Sequence, residues 1–101
     1  MKKQALHIVK IGGNIIDVPE ALASFLANFA SMPGPKLLVH GGGKIATSMA
    51  ADLGIESQMI DGRRVTDVAS LRIVTMVYAG WINKSIVASL QALTCNAIGL
   101  A

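Results

Sequence analysis

The 101-residue sequence predicts an α/β fold built on a mostly parallel sheet. Short apolar runs break into glycines, at residues 5–11 before Gly12-Gly13 and at 37–39 before His40 and Gly41-Gly42-Gly43. Runs of that length suit strands buried on both faces of a parallel sheet better than core helices. Around them, apolar residues recur at helical spacing, as at Leu22, Phe25, Leu26 and Phe29. The hydrophobic fraction, 52%, exceeds the usual range, so the chain is expected to be a piece that needs a C-terminal continuation or a partner subunit around it.

Taken in order, the first strand carries Lys10 at its carboxyl end beside Gly12 and Gly13. A lysine there is costly to bury unless an anion meets it, and ligands of open α/β sheets gather at the carboxyl ends of strands. A solvated strand-end lysine is the plain alternative. Asp17 is expected to cap the next helix, with Pro19 in its first turn, and Met32-Pro33-Gly34-Pro35 ends it. The second strand follows over Lys36–His40. Its glycine loop leads into a helical pattern at Ile45, Ala46, Met49, Ala50 and Leu53, stopped by Gly54. Strand, bare glycines and helix N-terminus together make an anion site, because unpaired N–H groups and the positive end of the helix dipole point the same way. A tight turn without ligand is the alternative there.

Residues 55–61 read as a short strand or hairpin arm, and Asp61-Gly62 as its turn. Arg63 and Arg64 follow, and a guanidinium grips a carboxylate with two prongs. Adjacent extended residues point apart, so one arginine is expected to serve the site. Thr66 and Asp67 start a long helix whose stripe runs Val68, Leu71, Val74, Tyr78 and then Ile82, Ile86, Leu90, Leu93, with a kink near Gly80. That helix is a candidate subunit interface or, equally, a layer buried under a C-terminal continuation. Asn96 is the expected C-terminal cap, and residues 97–100 begin another buried strand.

Composition excludes several classes. The net charge of +3 is scattered and the aromatics are few, so no nucleic acid is expected as partner. Cys95 is the one cysteine and excludes an internal disulfide. Asn83, Lys84, Ser85, Gln91 and Asn96 divide the apolar C-terminal stretch into runs shorter than a membrane span, so no membrane is expected, and the location is read as cytoplasmic. His7 and His40 lie far apart and Cys95 has no metal-binding neighbour, so no metal site is expected. Gly43-Lys44 lacks the flanking residues of a P-loop, since Leu38 and Ile45 stand where Gly and Ser or Thr belong. Gly41-x-Gly43-x-x-Ala46 with Asp61 fits a loosened dinucleotide fingerprint, which keeps a dinucleotide-binding fragment as one alternative.

Five motifs in order carry a resemblance: Lys10-Ile-Gly12-Gly13; Val39-His40-Gly41-Gly42-Gly43; Asp61-Gly62-Arg63-Arg64-Val65-Thr66; Ala79-Gly80-x-x-Asn83-Lys84; and Ala97-Ile98-Gly99-Leu100. Their order and intervals closely resemble the N-terminal part of the N-acetylglutamate kinases, of the amino acid kinase family. The resemblance covers essentially the whole chain, residues 1–101 forming the acylglutamate-binding part of the domain. It implies a three-layer αβα sandwich, incomplete at the C-terminus, and transfer of the ATP γ-phosphoryl group to the side-chain carboxylate of N-acetyl-L-glutamate or a related N-acylglutamate in arginine biosynthesis. It implies ATP with Mg2+ as co-substrate and a homodimer. Lys10 would stabilise the phosphoryl group in flight, with Gly12 and Gly13 on the nucleotide side. Backbone N–H groups of Gly13 and Gly42 would hold the reacting groups in line, Gly42 and Gly43 would contact the acylated substrate, and Arg64 would bind its α-carboxylate. Members run well over twice this length, and their later half supplies most of the ATP pocket, so the chain alone is expected to be inactive. A non-catalytic oligomerisation module is the other alternative.

Overall fold

The computed structural model describes residues 4–56, 58–61 and 63–101, with backbone alone at 58, 59 and 63–65. Strand β1 (His7–Ile11) pairs in parallel with β2 (Lys36–His40), placing Ile8 opposite Leu37, Lys10 opposite Val39 and Ile11 opposite His40. Side chains alternate across a strand, so one face of the pair carries Val9, Ile11 and Leu38 into the core. The other face does not match the expectation of double-sided burial. Ile8, Leu37 and Val39 are 65%, 48% and 47% exposed, because no described element covers that side.

The crossover from β1 to β2 runs through α1 (Gly13–Ile16) and α2 (Pro19–Ser31). The Gly12-Gly13 break, expected as loop, is one helical turn with Gly12 at its N-cap. In α2, Leu26 and Phe29 are buried, and Leu22 and Phe25 pack against the core at the expected i, i+3, i+4, i+7 positions. The Lys36 ammonium bonds the carbonyls of Ala30 and Met32 at the end of α2, where the helix dipole favours a cation, and lies 5.3 Å from the Phe29 ring centroid.

Helix α3 (Ile45–Asp52) buries Ala46 and Ala50. Gly54, at φ +73°, closes it in a Schellman turn, its N–H donating to Ala51 O and that of Ile55 to Ala50 O. Strands β3 (Gln58–Ile60) and β4 (Arg63–Val65) form the expected hairpin, antiparallel with Ile60 opposite Arg63. Asp61 sits in its turn at φ 51°, a conformation Asp tolerates; Gly62 lies outside the described residues.

A continuous helical run follows: α4 (Val68–Val74), a π-helical segment (Thr75–Ile82) and α5 (Asn83–Ala92). Asp67 caps it, its carboxylate accepting the Ser70 N–H at 2.7 Å. The expected kink at Gly80 is instead this wide π segment. It also corrects the stripe: the buried positions are Ser70, Ile73, Val77, Ile82, Ile86 and Leu90, whereas Val68 is 72% exposed. The step from Val77 to Ile82 is five residues, the π spacing, so counting back from Ile82 in α-helical steps lands one residue too far on. The run Val68–Ala92 spans 25 residues and contains an 18-residue stretch of mean hydropathy 1.3, long and apolar enough to cross a membrane by length and composition alone. Its buried stripe joins Leu26 and Phe29 of α2 and Ala46 and Ala50 of α3 in a single core.

The chain ends differ from expectation too. Thr94, not Asn96, takes the left-handed cap position at φ 61°, with its N–H on Gln91 O and that of Cys95 on Leu90 O. Residues 97–100 form no strand. Their carbonyls are taken by α5 side chains, Ala97 O by Gln91, Gly99 O by Lys84 and Leu100 O by Asn83. A groove of about 730 Å³ is lined by β2 residues Leu37 and Leu38, by Ile86 and Leu90 of α5, and by this tail.

Candidate functional site

The site is built where β1 and β2 end. Parallel strands in register deliver their carboxyl ends to one edge, and each is followed at once by a glycine segment. The two segments approach closely: a Cβ at Gly13 would lie 3.3 Å from Gly43 Cα. Lys10 stands one residue before the end of β1, solvent-exposed, and its ammonium has no partner among the described residues. Lys10, Gly12, Gly13, Gly42 and Gly43, singled out from the sequence, therefore share one edge of the sheet.

Why residues 42 and 43 are glycines has a local answer. A Cβ on Gly42 would fall inside the Tyr78 ring, which the π segment presses onto the loop. A Cβ on Gly43 would collide with the Asp17 carboxylate, and φ there is +56°, where side chains are strained. The space the sequence reading reserved for a ligand is thus filled at both positions by the chain's own side chains. What remains for an anion is the backbone: the N–H groups of Gly42 and Gly43 have no acceptor among the described residues.

Two further residues shape the loop. Asp17 does not cap α2, whose N-cap Val18 makes no side-chain bond. Its Oδ1 accepts the Lys44 N–H at 2.9 Å, 27 residues away. His40 Nδ1–H donates to Gly41 O at 2.9 Å, while His40 Nε2 accepts from Asn83 Nδ2 at 3.2 Å. The imidazole is thereby fixed in one tautomer and serves local bonding. Asn83 is held in turn, its Oδ1 accepting from Lys84 at 2.9 Å. Sequence reasoning missed the Asp17 and Tyr78 contacts, since neither partner lies within a helical turn of the loop. The Asn83-Lys84 motif was visible without its role.

The Arg63 and Arg64 side chains lie outside the described residues; the backbone puts Arg64 opposite Met59 in the hairpin. No group of three His, Cys, Asp or Glu able to hold a metal occurs among the described residues.

Residues 5–101 match the model of the amino acid kinase family. The acetylglutamate kinase of Cytophaga hutchinsonii is 66% identical over 97 residues, 96% of this chain and 37% of that protein. That of Phocaeicola vulgatus is 56% identical over 97% of this chain and 38% of its own length, and that of Dehalococcoides mccartyi 34% identical over 100% and 38%. The chain therefore spans less than two-fifths of the length of these curated relatives. Among solved structures, N-acetylglutamate synthase from Neisseria gonorrhoeae, complexed with coenzyme A and L-arginine, aligns with a TM-score of 0.55 at 22% identity. That alignment covers 95% of this chain and 22% of the synthase, a likeness of fold alone.

Proposed function

As the chain belongs to the amino acid kinase family, we propose that it is the acylglutamate-binding, N-terminal part of an acetylglutamate kinase that acts in arginine biosynthesis in the cytoplasm, as a homodimer. The observation that carries this reading is the close approach of the two glycine segments at the ends of β1 and β2, with exposed Lys10 at the same edge. Phosphoryl transfer asks for positioning and charge stabilisation and little covalent help from protein. The nucleophile is a carboxylate, already ionised at neutral pH, so no general base is required. One of its oxygens forms a bond to the γ-phosphorus of ATP, the bond from that phosphorus to the β,γ-bridging oxygen breaks, and ADP leaves beside an acyl phosphate.

In this scheme Gly12 and Gly13 border the nucleotide phosphates, and the N–H groups of Gly13 and Gly42 orient donor and acceptor in line. Gly42 and Gly43 present backbone to the acylated substrate. Lys10 offsets negative charge gathering on the phosphoryl oxygens. Arg64 binds the substrate α-carboxylate. Mg2+ would come bound to the ATP phosphates and would offset their charge; among the described residues no group of three His, Cys, Asp or Glu could hold it.

The test is product formation by the intact gene product supplied with MgATP and N-acetyl-L-glutamate, read as ADP release and as hydroxylamine-trapped acyl phosphate. Both are expected, with Arg64→Ala raising the Kd for N-acetyl-L-glutamate by about 30-fold or more, as for a lost buried charge pair. Absence of both products contradicts the reading. Unchanged affinity in Arg64→Ala contradicts that residue's role. The dinucleotide alternative is weakened by the hairpin: Asp61 occupies a turn between antiparallel strands, away from the end of a second parallel strand where its ribose contact belongs.

A further inference from the structure

We propose that Asp17 is a positioning residue of this site, tying the two glycine segments into one rigid unit. The inference rests on the kinase reading above. Asp17 lies at the end of the single turn that Gly13 opens, and its own N–H donates to Gly13 O at 2.8 Å. Its side chain reaches the other segment, where Oδ1 takes the Lys44 N–H and the carboxylate fills the space beside Gly43 that any Cβ would occupy. Oδ2 also stands 3.3 Å from the place a Cβ would take on Gly13. One residue thus touches both segments, and the spacing between the backbone donors of Gly13 and of Gly42 and Gly43 follows from its geometry.

The contact is charge-assisted. A carboxylate accepting a backbone N–H makes a stronger bond than a neutral acceptor, and Lys44 is the N-cap of α3, where negative charge also meets the positive end of a helix. Lys44 makes no side-chain cap bond, and Asp17 bonds from a distance the N-cap N–H that a Glu or Gln in the first turn bonds in a capping box. The physical consequence concerns alignment more than binding. Each substrate keeps its own contacts when the tie is cut, but the reacting oxygen and phosphorus lose their fixed separation, and small misplacements cost about 100-fold in rate.

The experiment uses the intact gene product with Asp17→Ala and Asp17→Asn, reading amide hydrogen exchange at Lys44 and steady-state kinetics with MgATP and N-acetyl-L-glutamate. In Asp17→Ala the Lys44 amide is expected to exchange at least tenfold faster while the Leu26 and Leu90 amides keep their protection. In the same variant kcat falls about 100-fold and both KM values stay within threefold. Asp17→Asn, which keeps an oxygen but loses the charge, falls between wild type and alanine in both readouts. Should Asp17→Ala not fold, Asp17→Asn decides: Lys44 exchange and kcat both at wild-type values overturn the proposal. An active wild-type enzyme whose Asp17→Ala variant keeps its Lys44 exchange or its kcat overturns the tie while leaving the kinase reading intact. A wild-type product that forms no acyl phosphate overturns the kinase reading and the catalytic role built on it, whatever the exchange shows.

Discussion

At the scale of single residues, two positive-φ positions show how differently the chain treats the same backbone demand. Gly43 meets it without a side chain, because the Asp17 carboxylate needs the room. Thr94 meets it with a β-branched residue at the end of α5, where the left-handed conformation costs a side chain about 1–2 kcal/mol and glycine almost nothing. Thr94→Gly is therefore expected to stabilise the protein by about 1 kcal/mol after the added flexibility of the unfolded chain is subtracted. Urea unfolding checks it; a lower midpoint would show that the Thr94 hydroxyl bond to Leu93 O outweighs the backbone strain. The cap at Asn96 was a reasonable sequence expectation because Asn commonly ends helices. Nothing local announces that a threonine two residues earlier takes the position.

At the scale of elements, the parts governed by neighbours in sequence were legible, and those governed by distant contacts were not. Strands β1 and β2, helices α2 and α3 and the hairpin follow from glycine punctuation and apolar spacing. The π segment does not, because a single extra residue per turn leaves no compositional mark, and it shifts the buried face from Val74 and Tyr78 to Ile73 and Val77. The shift matters, since it leaves Tyr78 to close over Gly42. Asp17 was misread for a similar reason: its capping chemistry was recognised, but the N–H it caps belongs to Lys44. Asp67, by contrast, caps its own helix as expected. The Ser70 backbone N–H holds the Asp67 carboxyl below its ordinary range, so the unfolded chain binds the proton more readily than the folded one. The cap's contribution is present above the ordinary carboxylate range and is lost as pH falls through the lowered value. Melting temperatures taken between about pH 7 and pH 3 are expected to fall less steeply on the acid side in Asp67→Ala than in wild type. Parallel curves would contradict this.

At the scale of the whole molecule, the α/β class was legible while the layering was only partly so. The apolar runs at 5–11 and 37–39 were read as buried on both faces; the described residues bury one face and leave Ile8, Leu37 and Val39 open. Hydrophobic composition records what a strand is suited to touch, and a chain spanning 37% of its relative's length need not hold every element that touches it. The tail at 97–100 is strand-like in sequence, and its carbonyls are bonded by α5 side chains in place of a ladder. Both glycine segments, Lys10 and the Asp17–Lys44 bond lie at one edge of the sheet. Whether this edge performs phosphoryl transfer is decided by the kinetics of Lys10→Ala in the intact gene product. In that variant kcat is expected to fall about 100-fold or more with KM for N-acetyl-L-glutamate within threefold, the signature of an interaction made only in the transition state. An unchanged kcat, or a KM raised with kcat retained, would contradict it.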